Sequence, residues 1–195
     1  VARIFAAKGR PVNHPLIVHV ADTAGVDAFA AHVPAHARAL MARWWPAPLT
    51  LILPRKAGVA AAAAGGQDSI GLRCPSHPVA QALLRRAAEL GVPGLAAPSA
   101  NRFGRVSPTR AQHVRDEFDM ALPVLDGGDC PVGIESTIVD CTREPPALLR
   151  PGGVSRTEIE ALLGRPLAAP GAVGPRSSGT LESHYSPRAR VRLLE

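Results

Sequence analysis

Between Gly94 and Thr109 the sequence reads GLAAPSANRFGRVSPT, and its short side chains have the chemistry of a cradle for a polar ligand. Ser99, Asn101 and Ser107 offer donors and acceptors on short stems, while Ala96, Ala97 and Ala100 let a ligand approach the backbone. Taken alone, these residues suit a capped turn equally well. Basic groups elsewhere tilt the balance toward an anion. Lys8, Arg10 and His14 crowd one short loop, and Arg73 and Arg150 each close an apolar run. Arginine's planar fork matches carboxylate and phosphate. His19 lies inside an apolar stretch, where a histidine is more often a core residue than a ligand.

These side chains need elements to hold them. Val1, Ile4 and Phe5 trace one helical face, so residues 1–8 are expected to form a helix that stops at Gly9. PLIVHV at 15–20, LTLILP at 49–54, SIGLR at 69–73, the stretch near 93–98, 121–125, TIVD at 137–140 and ALLR at 147–150 read as strands. Helical patterns fill two stretches of 23–45, the second stopped by Pro46, then 77–90 and 109–118. Another follows Ser155, where Ser155 and Glu158 have capping-box spacing. Strands interleaved with helices predict an α/β fold, in which strand ends such as that at Arg73 are usual ligand positions. AGVAAAAAGGQD at 57–68 is low-complexity and reads as a loop. The Pro-, Gly- and Ser-rich composition after residue 165 is that of a linker.

A chain of 195 residues with 46% hydrophobic content can build a full core. It lacks a long apolar run or a basic-then-apolar leader pattern, so the expected address is the cytoplasm, without membrane association. Cys74, Cys130 and Cys141 lack the paired spacing of a zinc site and are read as reduced thiols. No Walker phosphate loop, dinucleotide glycine fingerprint or HExxH zinc motif is present, so an anion falls to arginines and turn hydroxyls. The formal net charge of +6, nearly all of it from arginine, adds only a weak argument for nucleic acid.

KGR at 8–10, PLIVHV, PLTLILP, GLRCP at 71–75, PSAN at 98–101, GIESTIVD at 133–140, LRPGG at 149–153 and SHYSP at 183–187 follow one another in a fixed order. Together they resemble the Sua5/YrdC family of threonylcarbamoyl-AMP synthases over nearly the whole chain. The resemblance implies a YrdC-like twisted mixed sheet with helices around a basic cavity. It also implies a nucleotidyltransferase that converts L-threonine, bicarbonate and ATP to threonylcarbamoyl-adenylate and pyrophosphate, with Mg2+ accompanying the ATP. The product would serve the threonylcarbamoyl modification of adenosine 37 in tRNAs reading codons that start with A, through tRNA or a tRNA-modifying partner protein.

Carried over motif by motif, the resemblance puts Lys8, Arg10 and Arg150 toward the phosphates, with Lys8 and Arg10 as catalytic candidates. His14, Ser69, Ser99, Asn101 and Ser107 would bind the nucleotide, and His184 and Tyr185 would close over the adenylate. Arg73 would take the threonine carboxylate, bordered by His19, the Ala97 backbone and Ser136. No protein metal ligand is expected. The implied organisation is a catalytic domain over 1–165, a linker over 166–187 and the start of a further Sua5-type domain over 188–195. An N-terminal strand and helix are expected to precede residue 1. Two alternatives remain open: an RNA-binding module of the same fold, disfavoured by one tyrosine and four phenylalanines, and the YrdC-like domain of a carbamoyltransferase.

Overall fold

A computed structural model describes residues 1–118, 122–171 and 174–177. LTLILP is apolar at nearly every position, as suits a strand covered on both faces. It forms β2 (Leu49–Pro54), near the centre of a six-stranded sheet. The remaining strands are β1 (Ile17–His19), β3 (Ser69–Arg73), β4 (Leu95–Ala96), β5 (Thr137–Asp140) and β6 (Ala147–Arg150). They lie in the order β4, β1, β3, β2, β5, β6, with β1 parallel to β3, β2 parallel to β5, and the other pairs antiparallel. This mixed sheet agrees with the expected fold class.

Side chains alternate across a strand, so each strand divides between two faces. On one face Val18, Leu49, Leu51, Leu53, Ile70, Leu72 and Val139 join a single apolar core. Helices α2 (Ala35–Trp44) and α5 (Arg156–Leu163) cover it, adding Ala37, Leu40, Met41 and Ile159. At the start of α5 the Ser155 hydroxyl accepts from the Glu158 N–H while Glu158 accepts from the Ser155 N–H, so the capping box forms as its spacing predicts. Trp44 and Trp45 pack against the rim of this core.

The opposite face carries polar groups, and register aligns them. His19 pairs with Arg73, Arg73 with Thr50, Thr50 with Ile138, and Ile138 with Arg150. One rung across five strands therefore displays His19, Arg73, Thr50 and Arg150 on the same side. Helix α1 (Ala2–Lys8) ends at Gly9, whose φ of 62° is the left-handed conformation that lets the chain turn toward this face. Helices α3 (Pro78–Glu89) and α4 (Ala111–Glu117) and a 3-10 turn at Ala24–Ala28 complete the set.

One segment departs from the sequence reading. Residues 122–125 are not a strand: the short apolar pair Val124–Leu125 lies between Pro123 and Asp126-Gly127-Gly128, and no strand among the described residues pairs with it. The Pro-, Gly- and Ser-rich segment is anchored where it is described. Gln67 donates from its Nε2 to the Arg176 carbonyl at 3.1 Å and accepts from the Arg176 N–H at 2.6 Å, and Ser177 is buried on the polar face. Cys74, Cys130 and Cys141 are free thiols, and burial raises the first and last above the ordinary thiol range.

Candidate functional site

The polar face opens into a cavity of about 260 Å³. Lys8 and Arg10 reach it from the end of α1, His19 from β1 and Arg73 from β3. Ala97, Ser99 and Asn101 come from the loop after β4, Ser136 from the residue before β5, and Arg150 from the end of β6. Ten of the expected site residues, His14 included, thus line one cavity although they are scattered from residue 8 to residue 150.

Two expected residues lie beside it. Ser69 faces a narrow neighbouring recess of about 20 Å³, shared with Thr50, Gly71, Arg176 and Ser177, and Ile17 borders both spaces. Ser107 touches the cavity through Glu135, donating its hydroxyl to Glu135 Oε1 at 2.5 Å. His184 and Tyr185 lie outside the described residues.

Several of the cations are engaged with the protein itself. The Lys8 ammonium donates to the carbonyls of Ser99, at 2.6 Å, and Asn101, while the Phe103 N–H donates to the Lys8 carbonyl. Lys8 thereby fastens α1 to the loop after β4. Burial, with help from the Arg10 charge, pulls its pKa down to about 8. Arg10 donates to the carbonyls of His14 and Pro15, at 3.3 and 2.7 Å, and lies 5.5 Å from the Phe103 ring centre. Arg150 grips the Ser136 carbonyl with Nε and Nη2, at 3.0 and 2.9 Å, and Ser136 Oγ in turn is 2.7 Å from Thr50 Oγ1. Arg105 pairs with Glu117.

Arg73 is different. Its Nε donates to the Ala47 carbonyl at 3.3 Å, and among the described residues its two terminal nitrogens have no hydrogen-bond partner. Burial holds the guanidinium of Arg73, like those of Arg10 and Arg150, below its ordinary range, although all three stay protonated. Beside Arg73, His19 is buried, and burial and the Arg73 charge push its pKa down to about 4. It is neutral at pH 7.

Three buried polar atoms lining this cavity lack a hydrogen-bond partner among the described residues: His19 Nδ1, Asn101 Oδ1 and Glu135 Oε2. Orphaned atoms of this kind are uncommon, and a ligand is one way to satisfy them. The sequence reading missed Glu135, Thr50, Phe103 and Arg105. Glu135 stands inside GIESTIVD, where Ser136 drew the attention, and its contact with Ser107 crosses 28 positions. Phe103 packs edge-on to His14 at 5.3 Å, closing one wall.

The Sua5/YciO/YrdC family model, described as telomere recombination, matches residues 1–152. The chain is 41% identical over 201 residues to the threonylcarbamoyl-AMP synthase of Pyrococcus abyssi (strain GE5 / Orsay), covering 100% of this chain and 58% of that protein. With the threonylcarbamoyl-AMP synthase of Bacillus subtilis (strain 168) the identity is 41% over 202 residues, covering 100% and 57%. Among solved structures, P. abyssi Sua5 complexed with L-threonine superposes with a TM-score of 0.87 at 40% identity, over 96% of this chain and 56% of that one. The chain therefore spans under three-fifths of the length of these relatives.

Proposed function

The chain belongs to the Sua5/YciO/YrdC family, and from that premise we propose that it forms threonylcarbamoyl-adenylate and pyrophosphate from L-threonine, bicarbonate and ATP. The observation that carries this reading is one cavity lined by five cationic side chains, with Arg73's terminal nitrogens unengaged by the described residues. The reaction brings three anions together, and their mutual repulsion has to be offset.

In this reading Arg73 takes the threonine carboxylate through its two terminal nitrogens, a charge-assisted pair in a mostly buried setting. His19, uncharged, and Ser136 border the amino acid. Arg10 and Arg150 face the phosphates, with Ser99, Asn101 and Ser107 on the nucleotide. Lys8 joins the two arginines on the phosphate side and also holds the loop that carries Ser99 and Asn101. The threonine ammonium releases a proton to solvent, and the free amine attacks bicarbonate to give a carbamate and water. The carbamate oxygen then attacks the α-phosphorus of ATP and pyrophosphate leaves. The described cavity offers no activated serine or cysteine nucleophile, so rate enhancement rests on positioning and on charge complementarity.

Among the described residues the donor set does not fit a resident metal: a single carboxylate lines the cavity, and no group of three His, Cys, Asp or Glu could hold an ion. Mg2+ would accompany the ATP on its phosphates, and no step is assigned to it. The organisation into catalytic domain, linker and further domain, and delivery of the product to tRNA, belong to the same proposal.

Calorimetric titration with ATP and L-threonine, separately and together, tests it. Binding of both, with the threonine heat abolished in Arg73→Ala and the ATP heat retained, is the expected result. Binding of structured RNA with neither small ligand would favour the RNA-binding alternative and overturn the enzyme reading.

A further inference from the structure

Among the described residues Glu135 is the one carboxylate lining this cavity, which Lys8, Arg10, Arg73, Arg105 and Arg150 line as well. Its charge lies close to that of Arg150, and its two oxygens differ in their hydrogen bonds. Oε1 accepts from the Ser107 hydroxyl, while Oε2 is buried and has no hydrogen-bond partner among the described residues. An unsatisfied buried carboxylate oxygen is costly, and more so than a neutral group. A carboxylate or a fully ionised phosphate has no proton to donate to it and is repelled by its charge, whereas an ammonium group supplies both donors and the opposite charge.

The complementary observation is Arg73. Lys8 and Arg10 donate to loop carbonyls, Arg150 to Ser136, and Arg105 pairs with Glu117. Two ionic groups of opposite sign remain whose ends lack hydrogen-bond partners among the described residues: Arg73 Nη1 and Nη2, and Glu135 Oε2. A chain of neighbours links them. Arg73 pairs in register with Thr50, Thr50 Oγ1 is 2.7 Å from Ser136 Oγ, and Glu135 adjoins Ser136. A cation and a carboxylate in one small cavity complement a zwitterion.

We infer that Glu135 receives the α-ammonium group of the amino-acid substrate, opposite Arg73 on its carboxylate, and so makes the cavity select an amino acid over a simple hydroxy acid. This rests on the amino-acid reading above and assigns the group that anchors its other end. The Ser107 hydroxyl orients the Glu135 carboxylate, leaving Oε2 for the ammonium.

The test compares calorimetric binding of L-threonine and of 3-hydroxybutanoate, which keeps the carboxylate and hydroxyl but lacks the amine. Wild type, Glu135→Gln, Glu135→Asp and Ser107→Ala are titrated with each, and with ATP in the presence and absence of Mg2+. Wild type is expected to prefer L-threonine by at least about tenfold, in line with a charged hydrogen bond. Glu135→Gln should bring the two ligands within about threefold of each other, by weakening L-threonine while 3-hydroxybutanoate binds as well or better. Glu135→Asp should restore part of the preference. Ser107→Ala, which removes the hydroxyl and leaves the charge, should retain most of it. A preference kept in Glu135→Gln, an equal loss for both ligands, or an effect confined to the Mg2+ dependence of ATP binding would each overturn the inference while leaving the enzyme reading standing. Failure of wild type to bind either acid would remove the amino-acid reading itself, and this inference with it.

Discussion

At the scale of single residues, Arg73 and His19 show how one strand end sets two opposite electrostatic states. Arg73 keeps its charge despite burial, and that charge helps hold the adjacent His19 neutral. Replacing Arg73 with Ala is expected to weaken L-threonine binding at least about fiftyfold, and Arg73→Lys should recover only part of it, because an ammonium cannot reproduce a two-nitrogen contact. Calorimetry on the two variants measures the difference, and full recovery by Lys would contradict a bidentate role. For His19 the sign follows from its pKa of about 4 in the fold against 6.5 ordinarily. The unfolded chain takes up the proton first, so stability present above pH 6.5 is lost as the pH falls toward 4. From pH 7 to pH 5 the loss is about 2 kcal/mol from this group. Urea titrations should show that slope in wild type and a flatter one in His19→Gln; equal slopes would contradict it. Arg73 was legible in the sequence because it ends an apolar run. Glu135 was not, because its meaning lies in a partner far along the chain and in its being the one carboxylate among the described residues that line the cavity.

At the scale of elements, the site depends on how closely two strands approach. The LRPGG turn brings Gly152 against the residues leading into β5: a Cβ there would lie 2.4 Å from the Thr137 nitrogen and 2.5 Å from the Glu135 carbonyl oxygen. No side chain fits without moving backbone. Gly152→Ala is expected to cost more than about 2 kcal/mol, as overpacking against rigid backbone does, and to impair ligand binding by displacing Glu135 and Ser136. Thermal unfolding and threonine titration of this variant check both effects; wild-type behaviour in both would contradict the account. Elements with strong local signals were legible: the stop of α1 at Gly9, the capping box of α5, and the apolar run of β2. The strand expected at 121–125 fails across 122–125, since a short apolar pair between breakers has no partner strand among the described residues to offset its ordering. Lys8 lines the cavity and also makes contacts that no local pattern signals. Sequence puts it in a basic cluster with Arg10 and His14, and the fold turns its ammonium onto the carbonyls of Ser99 and Asn101.

At the scale of the whole molecule, one sheet separates a dry apolar face under α2 and α5 from a polar face whose cavity gathers residues separated by more than a hundred positions. The order of motifs along the chain announces this gathering, because residues at the ends of adjacent strands converge whatever their distance in sequence. The cavity's cationic lining makes a prediction for salt. ATP affinity should fall several-fold between 0.05 and 0.5 M NaCl, whereas L-threonine, which carries no net charge, should change by less than about twofold. Parallel loss for both ligands would contradict a division into a phosphate side and a zwitterion side. The central claim is tested most directly by pyrophosphate release from ATP, with mass detection of the adenylate. The expected result is pyrophosphate and threonylcarbamoyl-adenylate in equal amounts, formed only when L-threonine and bicarbonate are both present. Pyrophosphate release that proceeds without threonine, or that requires carbamoyl phosphate in place of bicarbonate, would contradict it.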